Sequence, residues 1–299
     1  MTDAVQQTDR QRLADARRWV VKVGSALLTN DGRGLDASVV KMLADQLAAL
    51  RSRGCDVVLV SSGAIVAGLA RLNLPERPHE VHLSQAAAAV GQSALVRAYE
   101  EHLSPHGVTT AQILLSHADV RARDRYLNAR STLSTLLAMN VLPIVNENDT
   151  VVTDEIRLGD NDTLAALVAN LVDADALLIL TDQDGLMDSD PRQSVDAALI
   201  QTADVHDSSL DAIAGAGSAL GRGGMATKLS AARLAARSGT ATVIANGRQA
   251  DAITQVAGGA SLGTFLKTQR QPQSARKQWL ASLLHAQGSL VLDDGAVRG

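Results

Sequence analysis

The chain has 299 residues, 46% of them apolar and 20% charged, enough apolar material for a full core in one large domain or two smaller ones. A formal net charge of -4 without a dominant basic block, and aromatics at only 2%, argue against nucleic acid as the main partner. Phosphate contacts need clustered Lys and Arg, and base stacking needs aromatic faces. Cys55 stands alone, which excludes an intrachain disulfide or a multi-cysteine zinc site, suits a reducing compartment, and reads as a small residue where a strand begins.

In chain order, residues 1–18 are polar and mixed in charge, a tail without the apolar stretch of a secretory signal. No later run approaches the roughly 18 continuous apolar residues of a membrane span, so a cytoplasmic protein is expected. Short β-branched runs then alternate with long Ala/Leu-rich stretches. The predicted strands are Trp19–Val23, Asp56–Val60, Val108–Leu114, Val141–Val145, Ala176–Leu180 and Thr240–Ile244. Helical stretches lie near 36–53, 80–103, 123–139, 161–172 and 224–237, each long enough for a crossover between parallel strands. This βαβα rhythm predicts an α/β fold with a mostly parallel sheet covered by helices on both faces. After Lys267 a polar stretch reads as a linker over 268–275, and residues 276–299 are too few for a core of their own.

Ligands of such sheets sit beyond the carboxyl ends of the strands. Four predicted strand exits carry polar or glycine-rich punctuation: Gly24-Ser25, Ser61-Ser-Gly63, Asn146-Glu-Asn-Asp149 and Thr181-Asp182. Turn chemistry accounts for one or two such clusters. Four at one sheet edge point to a site.

Lys22 interrupts an apolar strand just ahead of Gly24-Ser25, which suits phosphate and equally fits a lysine snorkelling at a strand end. Gly221 to Lys228 precedes an Ala-rich helix, where backbone N–H groups, the helix dipole and Lys228 can hold polyphosphate. It lacks the spacing of a P-loop, and a flexible glycine turn is the alternative. Gly159-Asp-Asn-Asp162 directly precedes a helix, and capping explains one of its acids but not both. The second can orient lysines, hold magnesium or receive a substrate amine. Asn146 to Asp149 offers amide and carboxylate groups to a zwitterionic amino acid, or is a polar turn. The aspartates at 182, 184, 188 and 190 depart from an EF-hand loop and read as turn residues. Seven histidines occur without zinc-protease spacing, and no serine sits in a G-x-S-x-G elbow.

With these segments placed, residues from about Trp19 to Lys267 resemble the glutamate 5-kinases of the amino acid kinase family. The carriers are Val21-Lys-Val-Gly-Ser25, Val60-Ser-Ser-Gly-Ala-Ile65, Ala89-Val-Gly-Gln92, Leu127-Asn-Ala-Arg130, Pro143-Ile-Val-Asn-Glu-Asn-Asp149, Gly159-Asp-Asn-Asp162, Leu180-Thr-Asp182 and Gly223-Gly-Met-Ala-Thr-Lys228, in that order. The resemblance implies a three-layer α/β/α sandwich spanning 19–267, with ATP, Mg2+ and L-glutamate as reactants and cofactor, and glutamyl 5-phosphate as the product that feeds proline biosynthesis. It further implies that Lys22 and Lys228 neutralise the transferring phosphoryl group while Asp162 holds both lysines. Ser62, Asp149 and Asn161 would grip the substrate, with Asn146 and Asp160 nearby. Lys22, Thr181, Asp182 and the loop of Gly223, Gly224, Met225, Ala226, Thr227 and Lys228 would contact ATP. Proline inhibition and homo-oligomers are implied as well. Arg222 departs from the small hydroxyl residue often found there, and 276–299 resembles the opening of a PUA domain. Kinases of the same family acting on acetylglutamate, aspartate, carbamate or a nucleoside monophosphate are the alternative enzymes. An amino-acid sensor or RNA-binding module is the non-enzymatic one. Asp149 favours a substrate with a free α-amine, and both lysines being present favours catalysis.

Overall fold

Each strand is a run of β-branched and aliphatic residues whose side chains alternate between two buried faces, and this period of two organises the whole molecule. The structure, a computed structural model, describes residues 10–29, 34–151, 161–189, 196–216 and 224–268. In chain order these form β1 (Arg18–Val23), α1 (Ser25–Leu28), α2 (Ala37–Ser52), β2 (Asp56–Ser61), α3 (Ala64–Arg71), α4 (Val81–Leu103), β3 (Thr110–Leu115), α5 (His117–Arg121), α6 (Arg123–Ala138) and β4 (Leu142–Glu147). Then follow α7 (Asn161–Leu171), β5 (Ala176–Thr181), β6 (Thr202–Asp204), α8 (Ser209–Ala216), α9 (Met225–Ala236), β7 (Ala241–Asn246), α10 (Ala252–Ala257) and β8 (Thr264–Lys267).

The strands make an eight-stranded sheet in the order β3-β4-β2-β1-β5-β7-β8-β6. Every pairing is parallel except that of β7 with β8. The sheet divides two cores. Val21 and Val23 of β1, Val57 and Leu59 of β2 and Leu178 and Leu180 of β5 face a layer built from α2 and α4, including Leu43, Leu47, Leu95 and Tyr99. Val20, Val58, Val60, Leu177 and Ile179 face the opposite layer, built largely from α7 and α9. Each such fully buried aliphatic side chain contributes about 1.5–3 kcal/mol, so both helical layers are held by burial rather than by helix propensity.

The α3–α4 pair is set by two glycines. A Cβ on Gly68 would lie 1.7 Å from the Ala87 carbonyl oxygen, and one on Gly91 would lie 1.8 Å from that of Ala64. The helices therefore meet backbone to backbone, at a distance that a side chain would not allow. At the start of α3, Gly63 takes φ 108°, a left-handed value that lets the chain turn sharply out of β2.

The predicted strands and long helices reappear with their ends shifted by a residue or two. The reading missed β6 and β8, three and four residues long, which are too short to display a period. It also missed α3, whose pattern is interrupted by Gly68, and the short helices α1, α5, α8 and α10. The segment read as a polar tail is packed from residue 10 onward. Arg10 is buried, and its guanidinium donates to the carbonyls of Ala260, Leu262, Gln201 and Gly263 at 2.6–3.0 Å. Leu13 and Ala16 join the first core. A long arginine can satisfy several carbonyls at once, so its charge hides a structural role from a composition reading. The stretch 276–299 and all of the 268–275 linker except Thr268 lie outside the described residues.

Candidate active site

The four punctuated exits belong to four neighbouring parallel strands, β4-β2-β1-β5, so their loops converge on one edge of the sheet. The chain runs from β1 to β2 on one side and later places β5 on the other, which makes the β1/β5 border a topological switch point.

Lys22 is one residue from the end of β1 and pairs in register with Val60 and Ile179. Its parity is that of Val20, so it faces the layer of α7 and α9 and not that of α2 and α4. There its Nζ lies 2.6 Å from Oδ1 of Asp162, in the first turn of α7. Lys228, in the first turn of α9, brings its Nζ to 3.3 Å from Oδ2 of the same carboxylate. Thr227 Oγ1 lies 3.1 Å from that oxygen and 2.7 Å from the Gly224 carbonyl oxygen, within reach to donate its one hydrogen to either. Asp162 is 1% exposed and each lysine 5% exposed. Burial pushes the Asp162 carboxyl upward, but the two ammonium groups more than offset it and hold the group below the usual carboxylate range. Burial lowers Lys228, and the Lys22 charge lowers it further against the opposing pull of Asp162 and Asp182. Two cations share one carboxylate in a dry environment, an arrangement that can receive a polyanion.

A second, neutral group adjoins it through the chain. Asn161 precedes Asp162, and its Nδ2 donates to Ser62 Oγ at 2.7 Å and to Asn146 Oδ1 at 3.0 Å. Asn146 Nδ2 donates in turn to Gln92 Oε1 of α4 at 2.8 Å. Side chains from β4, α7, α4 and the exit of β2 thus form one line of amides. Asp149, just beyond β4, is half-buried, and burial raises its carboxyl to about 6 although the charge of Arg77 works in the opposite direction. At the β5 exit, Thr181 Oγ1 donates to Asp182 Oδ1 at 3.1 Å. Gly224 caps α9, whose first residues Met225 and Ala226 pack on the second core. Asp160 and Gly223 lie outside the described residues.

The structure therefore gathers Lys22, Asp162, Thr227 and Lys228 in one cluster and Ser62, Asn146 and Asn161 in an adjoining one. Asp182 reaches the first cluster by its charge on Lys228. The sequence reading missed two participants, Gln92 and Arg77. Gln92 closes the Ala89-Val-Gly-Gln92 segment that helps carry the resemblance, but was given no role; only its burial in the structure shows that its amide must find partners.

A model of the amino acid kinase family matches residues 17–246. The glutamate 5-kinase of Chromohalobacter salexigens is 60% identical over 293 residues, covering 98% of this chain and 78% of the relative. That of Hahella chejuensis is 60% identical over 290 residues, covering 97% and 75%, and that of Pseudomonas syringae pv. tomato 59% over 289 residues, covering 96% and 78%. Among solved structures, the UMP kinase of Bacillus anthracis superposes with a TM-score of 0.59 at 14% identity, over 85% of this chain and 97% of that one, a likeness of fold.

Proposed function

The chain belongs to the glutamate 5-kinases of the amino acid kinase family, and on that premise we propose a division of labour for the two side-chain clusters. The chain transfers the γ-phosphoryl group of ATP to the side-chain carboxylate of L-glutamate, giving ADP and L-glutamyl 5-phosphate, the first step of proline biosynthesis. A glutamate carboxylate oxygen forms the new bond to the γ-phosphorus as the bond to the β–γ bridging oxygen breaks, and that electron pair leaves on ADP. The nucleophile is already ionised at neutral pH, so no base is required. The work left to the protein is alignment and charge stabilisation.

The observation that carries the assignment is the Lys22–Asp162–Lys228 bridge at 2.6 and 3.3 Å. The lysines neutralise the phosphoryl oxygens, and Asp162 keeps the two like charges apart and aimed. Thr181, Asp182 and the loop from Gly223 through Lys228, with Lys22, hold the nucleotide. Ser62, Asn161 and Asp149 hold glutamate, supported by Asn146 and Asp160. Asp149 is the anionic partner for the substrate ammonium, which separates free glutamate from an N-acylated analogue. Among the described residues no group of three or more His, Cys, Asp or Glu side chains is arranged to hold a metal. Mg2+ would be held by the triphosphate and water, where it neutralises phosphate charge.

We assign residues 10–267 to the catalytic domain, since Arg10, Leu13 and Ala16 pack into it, and 276–299 to the opening of an appended PUA domain. A cytoplasmic homo-oligomer inhibited by proline at the glutamate site completes the reading. No described helix is long and apolar enough to cross a membrane. The test is ADP release with Mg-ATP and a panel of glutamate, N-acetylglutamate, aspartate and uridine monophosphate, with hydroxylamine present to trap an acyl phosphate. Glutamate-dependent ADP with hydroxamate is the expected result, and activity with another member alone rejects the assignment. Competition by proline against glutamate, and the mass in solution by light scattering, test the remaining two statements.

A further inference from the structure

The line of amides has a direction, and that direction decides what the site offers a ligand. Gln92 Oε1 accepts from Asn146 Nδ2, which turns Asn146 Oδ1 toward Asn161. Asn161 Nδ2 then spends its two hydrogens on Asn146 and Ser62. Two consequences follow from this polarity. Asn161 Oδ1 has no hydrogen-bond partner among the described residues and remains an acceptor, suited to an ammonium. Ser62 Oγ, having accepted, keeps its own hydrogen to donate to a carboxylate. If the chain of bonds ran the other way, Asn161 would present N–H groups to the ammonium and Ser62 would lose its donor.

We infer that Gln92, which lies outside the glutamate contacts assigned above, is a positioning residue that fixes this polarity and so tunes the site for a zwitterionic amino acid. Its own Nε2 is buried with no partner among the described residues, so only its oxygen end is in use. Gln92 is 6% exposed, and its place is set by the neighbouring Gly91, whose missing side chain lets α4 press against Ala64 at the start of α3. The close helix crossing that brings Gln92 to Asn146 also starts one residue after the Ser62-Gly63 turn. Recognition and packing are thus coupled through the same backbone contact.

This inference rests on the assignment of Asn146, Asn161 and Ser62 to glutamate, and a double-mutant cycle separates the two. Steady-state kinetics would be measured for Asn146→Ala, Gln92→Met, the double variant and Gln92→Glu, with thermal melts to confirm folding. Gln92→Met preserves volume and removes the acceptor. It is expected to raise the KM for glutamate on the order of tenfold, with little change in the KM for ATP. The double variant should match Asn146→Ala, because Gln92 acts through that residue. Gln92→Glu retains an acceptor oxygen and should stay within about threefold of the parent KM. If Asn146→Ala leaves the glutamate KM unchanged, the site assignment itself fails. If Asn146→Ala raises it while Gln92→Met does not, or the two effects add, or Gln92→Glu behaves like Gln92→Met, the role of Gln92 is overturned. Should Gln92→Glu fail to fold, the cycle alone decides.

Discussion

Replacing Asp162 by Asn tests the electrostatic core of the site with almost no change in shape. The carboxylate is 1% exposed and bridges Lys22 and Lys228 at 2.6 and 3.3 Å. Its neutralisation leaves two buried ammonium groups facing each other and, in one amide orientation, an N–H pointed at one of them. Removing one member of a buried ion pair costs about 3–5 kcal/mol of stability. If the lysines stabilise the transferring phosphoryl as proposed, loss of their aim costs on the order of 100- to 1,000-fold in kcat, by analogy with a lost oxyanion donor. The pH dependence supplies an independent sign. Asp162 raises the pKa of Lys228, whereas burial and Lys22 lower it. Without the carboxylate, Lys228 therefore loses its proton at lower pH, and the alkaline limb of the rate profile shifts toward acid. Coupled ADP release followed from about pH 6 to 10, with a melt at each pH, reads both effects. A variant with near-parental turnover and an unmoved alkaline limb would refute the bridging role. In the parent, the depressed Asp162 pKa means that its stabilising contribution is fully present at neutral pH and is lost as the pH falls through the folded value.

Asp149 carries the opposite sign. Burial raises it to about 6, so its ionisation costs stability as pH rises toward and past that value, and Asp149→Asn should melt higher than the parent at neutral pH while its KM for glutamate rises on the order of a hundredfold. For the parent, the KM for glutamate should also climb as the pH drops below about 6, which initial rates at saturating ATP would show. Gly91→Ala places a methyl 1.8 Å from the Ala64 carbonyl oxygen and 2.4 Å from the Gly68 nitrogen, so α3 and α4 must separate. A loss of about 1–3 kcal/mol or more in urea denaturation is expected, with a parental midpoint refuting the close crossing. Arg10→Ala strands the carbonyls of Gln201, Ala260, Leu262 and Gly263 and should cost on the order of 3 kcal/mol by the same measurement, while leaving the KM for glutamate and for ATP unchanged.

The sequence by itself determined the fold class and put forward the candidate site residues. Alternating β-branched runs and crossover-length helices imply a parallel sheet, and polar residues at strand exits are legible because turn chemistry is local. Lys22 was conspicuous as the one charge in an apolar strand, and Lys228 because it follows a glycine loop at a helix start. What only the tertiary structure decided is which of these meet. Strand order placed β4, β2, β1 and β5 side by side, and strand parity sent Lys22 to the α7–α9 side, where Asp162 lies 140 positions further along the chain. From the residues alone the second acid of Gly159-Asp-Asn-Asp162 could orient lysines, hold magnesium or receive an amine, and the resemblance implied that Asp162 holds both lysines; the structure brings both ammonium groups to that carboxylate. The direction of the amide line, the burial of Arg10 and the pKa of Asp149 were equally out of reach. Hydrogen-bond polarity, desolvation and charge pairing are properties of neighbours in space, and local propensity carries no information about partners so far away in sequence.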